Sequence, residues 1–112
     1  MEKQYFVRID RWYYPKNNLE TAIIEKVKKD FNNVLIDESD LKKFEDDLKA
    51  AIASLNQYYK RAKPLLFRGW RSNNRLYIRR DTAEGIDDLV ILEAVEVSRV
   101  YSLKGGEGSN AN

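Results

Sequence analysis

The 112-residue chain contains neither cysteine nor histidine. Without cysteine there is no disulfide, no thiol nucleophile and no thiolate metal site. The lack of histidine excludes more. Ser-His-Asp and Cys-His arrangements have no base, and zinc and iron sites lose their commonest ligand. Acid–base chemistry would fall to Asp, Glu, Lys, Arg or Tyr. Proline is scarce: Pro15 and Pro64 are the two, and each sits where an element is expected to end. No apolar run approaches the roughly 20 residues that a membrane helix needs. No Asn-x-Ser/Thr acceptor occurs, and Met1-Glu2-Lys3-Gln4 leads into a strand pattern rather than a charged-then-apolar signal sequence. These features point to a cytoplasmic protein with no membrane contact, no metal and no cofactor.

What is present describes a globular domain. Hydrophobic residues make up 43% and charged residues 34% of the chain, a balance that separates it from disordered sequences. The length suits one domain with its own core. We expect that domain to span residues 1–103, followed by a disordered tail, 104–112, in which nothing larger than alanine is apolar.

Residues Tyr5 to Tyr14 read as a first strand, with Tyr5, Val7 and Ile9 alternating against Phe6, Arg8 and Asp10. Asn17 and Glu20 have capping-box spacing, with Asn in place of Ser or Thr. The helix they begin carries Ile23, Ile24, Val27 and Phe31 on one face and ends at Asn32-Asn33. Val34-Leu35-Ile36 fits either a short strand or a buried linker. Asp37 or Ser39 then caps a second helix. Its apolar residues Leu41, Phe44, Leu48, Ala51, Ile52, Leu55, Tyr58 and Ala62 keep three-four spacing until Pro64 stops it. Acids crowd its first half and bases its end, which complements the helix dipole. Strands are expected at Leu65–Arg71, Arg75–Arg80 and Leu89–Tyr101. A turn at Ser72-Asn73-Asn74 and a loop at 82–88 separate them, and a β-bulge is expected near Glu93–Glu96. The order β-α-α-β-β-β predicts an α+β fold: a largely antiparallel sheet of about four strands with two helices on one face. The other face is left to solvent or a partner.

The charge is less balanced along the chain than its net value of +2 implies. From Leu48 to Arg80 there is no acid, while nine bases occur: Lys49, Lys60, Arg61, Lys63, Arg68, Arg71, Arg75, Arg79 and Arg80. Tyr58, Tyr59, Phe67, Trp70 and Tyr77 are interleaved with them. Acidic stretches flank the block: seven acids from Asp30 to Asp47, and six from Asp81 to Glu96 with no base. Arg and Lys bind phosphates, and aromatic faces stack on unpaired bases. Arg75, Tyr77 and Arg79 share one side of a predicted strand, and Arg8 joins them if the strands are neighbours. The candidate nucleic-acid-binding residues are therefore Arg8, Lys60, Arg61, Lys63, Arg68, Arg71, Arg75, Tyr77, Arg79 and Arg80. The plain alternative is a solvated face whose bases pair with the flanking acids across strands.

Other patterns carry less. Glu45, Asp46 and Asp47 are consecutive on a helix and diverge, so they cannot converge on one ion. Asp81, Glu84, Asp87 and Asp88 surround Gly85 without EF-hand spacing. Gly105-Gly106-Glu107-Gly108 lacks the Lys-Ser/Thr and the helix of a phosphate loop. Three functions fit this sequence. The first is a non-enzymatic module that meets nucleic acid through the basic, aromatic block. The second is a protein-binding inhibitor, immunity or accessory factor, whose acidic patches could imitate phosphates. The third is a histidine-free ribonuclease, in which Arg and Lys stabilise phosphate charge and Tyr or Glu moves protons. The element order is also that of the ribosome-dependent toxin nucleases, an analogy of fold without a shared motif.

Overall fold

Tyr5, Val7 and Ile9 do alternate inward, and the strand they form, β1 (Gln4–Trp12), lies near the middle of a five-stranded sheet. The computed structural model describes residues 2–60, 64–71 and 73–97. The fold is α+β. The elements run β1, α1 (Asn18–Asp30), β2 (Val34–Asp37), a short 3-10 turn (Glu38–Asp40), α2 (Leu41–Tyr59), β3 (Leu66–Arg68), β4 (Arg75–Thr82) and β5 (Gly85–Glu96). The sheet order is β2-β1-β5-β4-β3, and every neighbouring pair is antiparallel. The fifth strand is the ambiguous Val34–Ile36 segment, which pairs with Gln4–Val7 at the β2 edge.

α1 begins as its sequence predicts. The Asn17 side chain accepts from the Glu20 amide at 2.9 Å. Glu20 reaches back one residue further than in a capping box, accepting from the Lys16 amide at 2.8 Å. α2 stops at Tyr59 rather than Ala62, because Lys60 turns into the left-handed region at φ 49°. Just beyond, the Asn56 side chain bonds both the amide (2.9 Å) and the carbonyl (3.1 Å) of Leu65, which directs the chain into β3. Neither Asp37 nor Ser39 caps α2. Its N-cap is Asp40, whose side chain makes no capping bond, and the preceding 3-10 turn occupies Glu38–Asp40.

The core fills the space between helices and sheet. Leu19, Ile23 and Val27 from α1 and Leu48 and Ile52 from α2 meet Val7, Leu76, Ile78, Val90 and Leu92. Phe31, Phe44 and Trp70 form an aromatic run beside them, with centroids 5.4 and 6.0 Å apart. The Trp70 ring N–H donates to the Leu41 carbonyl at 2.8 Å, so Trp70 is a structural residue and not part of an exposed block.

Two register shifts decide which side chains reach the open face. Asp10 is an extra residue on β1 between Ile9↔Leu92 and Arg11↔Ile91. Leu89 is an extra residue on β5 between Ile78↔Val90 and Arg79↔Asp88. The register is regular through Glu93–Glu96, where the sequence alternation suggested a bulge. The pattern slips there because Val95 faces outward beside Phe6 and Leu35 while Glu96 takes the inward parity opposite Tyr5, an apolar residue on the open face and a charged one on the covered face. The 82–88 loop is also shorter than expected. β4 and β5 form a hairpin whose ends pair Thr82 with Gly85, and Gly85 takes φ 131°, a conformation that favours glycine. Residues 98–101 of the third predicted strand and the 104–112 tail lie outside the described residues.

Candidate functional site

The helices cover one face of the sheet, so side chains of opposite parity form the other. Cross-strand partners share a face, which orders this open face into rows. One row holds Leu35, Phe6 and Val95. The next holds Arg8, Glu93 and Arg75. A third crosses four strands: Arg11 on β1, Ile91 on β5, Tyr77 on β4 and Arg68 on β3. Beyond it Asp88, Arg79 and Leu66 form a fourth. Tyr13 continues β1 at that end, and its amide donates to the Leu89 carbonyl at 2.9 Å.

The predicted site residues divide sharply. Arg8, Arg68, Arg75, Tyr77 and Arg79 are together on the open face. Arg8 does not neighbour β4, because β5 separates the two strands. It meets Arg75 instead through a shared carboxylate: Arg8 Nε donates to Glu93 Oε2 at 2.8 Å, and Arg75 Nη2 lies 3.8 Å from Glu93 Oε1 and 3.4 Å from Asp10 Oδ2. Arg79 Nε donates to Asp88 Oδ1 at 2.9 Å, and its guanidinium lies 4.9 Å from the centre of the Tyr77 ring. Three of the face's arginines are thus held by its carboxylates, as the plain reading of the charge pattern anticipates. Arg11 and Arg68 are exposed, and among the described residues neither pairs with a carboxylate.

Arg80 belongs elsewhere. It shares the parity of Leu76 and Ile78, and it points into the seam between β4 and α1, only 8% exposed. Its guanidinium donates to Glu20 Oε1 (2.7 Å), the Tyr14 carbonyl (3.0 Å) and Asp87 Oδ1 (2.9 Å). Burial works against its charge, but the hydrogen bonds from Asp87 and Glu20 outweigh it, and the pKa is raised above the ordinary guanidinium value. That charge therefore stays in place throughout the neutral range. Arg80 ties the start of α1 and the Tyr14 segment to the sheet. Lys60 is the exposed C-cap of α2, on the helix layer and not on the face. Arg71 is exposed in the turn before β4, where its carbonyl accepts from the Asn74 amide at 2.7 Å. Arg61 and Lys63 lie outside the described residues.

Sequence reasoning missed Arg11, Tyr13 and Ile91. Plain alternation gives Arg11 the parity of Ile9 and places it inward. The bulge at Asp10 reverses that parity and sends Arg11 to the open face, while Trp12 turns toward the helix side, where the Lys28 ammonium sits 4.0 Å from its ring centre. The carboxylate of the extra residue, Asp10, is engaged by Arg75.

The rest of the described surface offers little chemistry. No group of three or more Asp or Glu residues is placed to hold a metal ion among the described residues. A groove of about 960 Å³ runs between α1 and α2, lined by Ala22, Ala50, Ala51 and Leu55 with charges of both signs, and it contains none of the predicted site residues. Among the described residues no helix is long and apolar enough to cross a membrane. Comparison with known proteins finds no matching family model, no matching curated protein and no matching solved structure.

Proposed function

We propose that the protein is a non-enzymatic binding module whose open sheet face contacts single-stranded nucleic acid. The observation that supports this reading is the make-up of that face. Arg8 and Arg75 are held by Glu93 and Asp10, while Arg11, Arg68 and Arg79 are set among Tyr77 and Tyr13 on antiparallel strands that no helix covers. Guanidinium groups bind phosphates in a fixed fork and also stack on bases, which ammonium groups do not. An antiparallel sheet is a flat platform on which unpaired bases spread and stack. By the same register Asp37 and Asp81 also lie on this face, so its five arginines are matched by five acids, and what sets the face apart is that Arg11 and Arg68 pair with no carboxylate among the described residues.

The test is titration of labelled oligouridylate and oligothymidylate with the protein, followed by fluorescence anisotropy between about 50 and about 200 mM salt. Binding that weakens steeply with salt, because each neutralised phosphate releases counterions, is the expected result. No binding at the lowest salt ends the reading. Oligouridylate that comes out shortened would move the protein to the ribonuclease class.

A protein partner is the second reading. What favours it is the exposed pair Leu35 and Leu66 at opposite margins of the face, together with charges of both signs between them. Interfaces between proteins are enriched in Arg and Tyr and poor in Lys. Capture of one protein from native lysate, lost on replacing Leu35 and Leu66 by Asp, would support this reading over the first.

A further inference from the structure

On the open face, neighbouring rows differ in whether their arginines are available. In the row Arg8–Glu93–Arg75, each guanidinium is within ion-pair distance of a carboxylate on the same face. A phosphate arriving there must displace Glu93 or Asp10 and leave a carboxylate facing a second anion. The row one step along is built differently. Its two ends are the exposed Arg11 and Arg68, and its floor is the buried Ile91 and the half-buried Tyr77. The acid nearest in sequence to Arg11 is Asp10, which is already engaged by Arg75. Among the described residues the one side-chain hydrogen bond of Arg11 is from Nη1 to the Tyr13 hydroxyl at 3.4 Å, and the charge of nearby Asp10 favours the guanidinium without pairing with it.

The spacing of the strands sets the scale. Neighbouring strands lie about 4.8 Å apart, so β1 and β3, three steps apart, are separated by about 14 Å. That is room for roughly two or three bases between a phosphate at each end, the number a sheet surface holds by stacking. The floor also supplies the stacking groups. Tyr77 is steadied by the Asn73 side-chain amide, which donates to its hydroxyl at 3.3 Å, and by the Arg79 guanidinium. Arg79 is itself anchored by Asp88, so its guanidinium is held over the Tyr77 ring and offers its own outer plane to a base.

We infer that a single strand of nucleic acid crosses the sheet along the row Arg11–Ile91–Tyr77–Arg68, with phosphates at Arg11 and Arg68 and bases over Tyr77 and Arg79, and that the Arg8–Glu93–Arg75 row does not take part. This inference rests on the nucleic-acid reading above and says where on the face the strand lies.

Two double variants separate the rows. Arg11→Gln with Arg68→Gln removes the two cations of the face that pair with no carboxylate among the described residues. Arg8→Gln with Glu93→Gln removes a cation and its carboxylate together, so net charge is unchanged. The changed residues are exposed apart from the part-buried Glu93, and circular dichroism and thermal unfolding serve as the check that each variant folds. With labelled oligouridylate and oligothymidylate, the first variant is expected to lower the salt slope by about two units. The second is expected to leave slope and affinity as in the native protein. Tyr77→Ala should weaken binding roughly tenfold to a hundredfold at unchanged slope, since stacking is not an ionic contribution. A comparison of the two oligonucleotides reports whether the ribose hydroxyl matters. Binding by the native protein that drops equally in both double variants, or only in the second, overturns the path while leaving the nucleic-acid reading standing. Equal affinity for duplex DNA overturns the stacking arrangement. No binding by the native protein removes both.

Discussion

The helix layer and the sheet carry their positive charge on different residues. α1 and α2 hold Lys26, Lys28, Lys29, Lys42, Lys43 and Lys49 and no arginine. The strands hold Arg8, Arg11, Arg68, Arg75, Arg79 and Arg80 and no lysine. Three of the helix lysines serve short-range ion pairs along their own helix, as Lys43 does at 2.8 Å from Asp47 one turn on. Such pairs contribute a few tenths of a kcal/mol each and keep a surface wet. The strand arginines reach across strands to Glu93, Asp88, Asp87 and Asp10 instead, and two are left over. A strongly hydrated ammonium suits a surface that stays in water. A weakly hydrated planar guanidinium suits one that is covered by something else. The two layers thus differ in the type of cation they carry although their charges are similar in number.

The most severe way to break this comparison is to cut Arg80, the one strand arginine among the described residues that faces the helices. Arg80→Met strands the buried Glu20 carboxylate and should cost about 3–5 kcal/mol in urea unfolding. Its neighbour Arg79, on the open face, should lose under about 1 kcal/mol on replacement by Gln. Similar midpoints for the two would mean that the faces are assigned wrongly. Next in size is the apolar side of α2. Leu48 is fully buried, and Leu48→Ala should cost about 2–5 kcal/mol. On the outer side of the same helix, Lys42→Ala should cost under about 0.5 kcal/mol; a loss as large as that of Leu48 would show that α2 is turned about its axis.

A finer test exchanges the cation type without the charge. Arg11→Lys with Arg68→Lys should leave stability unchanged and keep the salt slope of nucleic-acid binding, while affinity falls, because an ammonium makes neither the forked contact nor the stack. Unchanged affinity would show that the face uses arginine only as a point charge. The smallest expected effect is on the helix layer. Lys43→Arg should alter neither stability nor binding within measurement, since the pair with Asp47 is exposed on both sides; a gain in oligonucleotide binding there would place the interface on the helices.

Much of this was readable in advance, residue by residue. Asn17 and Glu20 announced the start of α1, and the three-four spacing from Leu41 to Leu55 announced α2 and its buried side. The parity of Arg75, Tyr77 and Arg79 against Leu76 and Ile78 was also legible, but Arg80, which has the inward parity, was counted with the binding residues and is instead buried against Glu20. The end of α2 was not. Continued three-four spacing through Ala62 says nothing about Asn56 capturing the Leu65 backbone across the turn. Nor was the strand at Val34–Asp37, whose four residues carry too short a pattern to choose between strand and linker until Gln4–Val7 offers a partner.

The sequence by itself determined the types of every α-helix and strand but the short Val34–Asp37, the covered sides of the helices and the stretch in which cations collect, because these depend on local periodicity and composition. Only the tertiary structure decided which cations are spent and which are free. A basic block with acids on either side can pair internally or not, and that depends on β5 entering between β1 and β4, which brings Glu93 to Arg8 and Arg75 and Asp88 to Arg79. It also depends on one extra residue at Asp10. A strand has a period of two, so a single inserted residue moves everything after it to the opposite face. That step turned Arg11 outward, and pairing between strands, not the order of residues along one of them, sets where such a step falls.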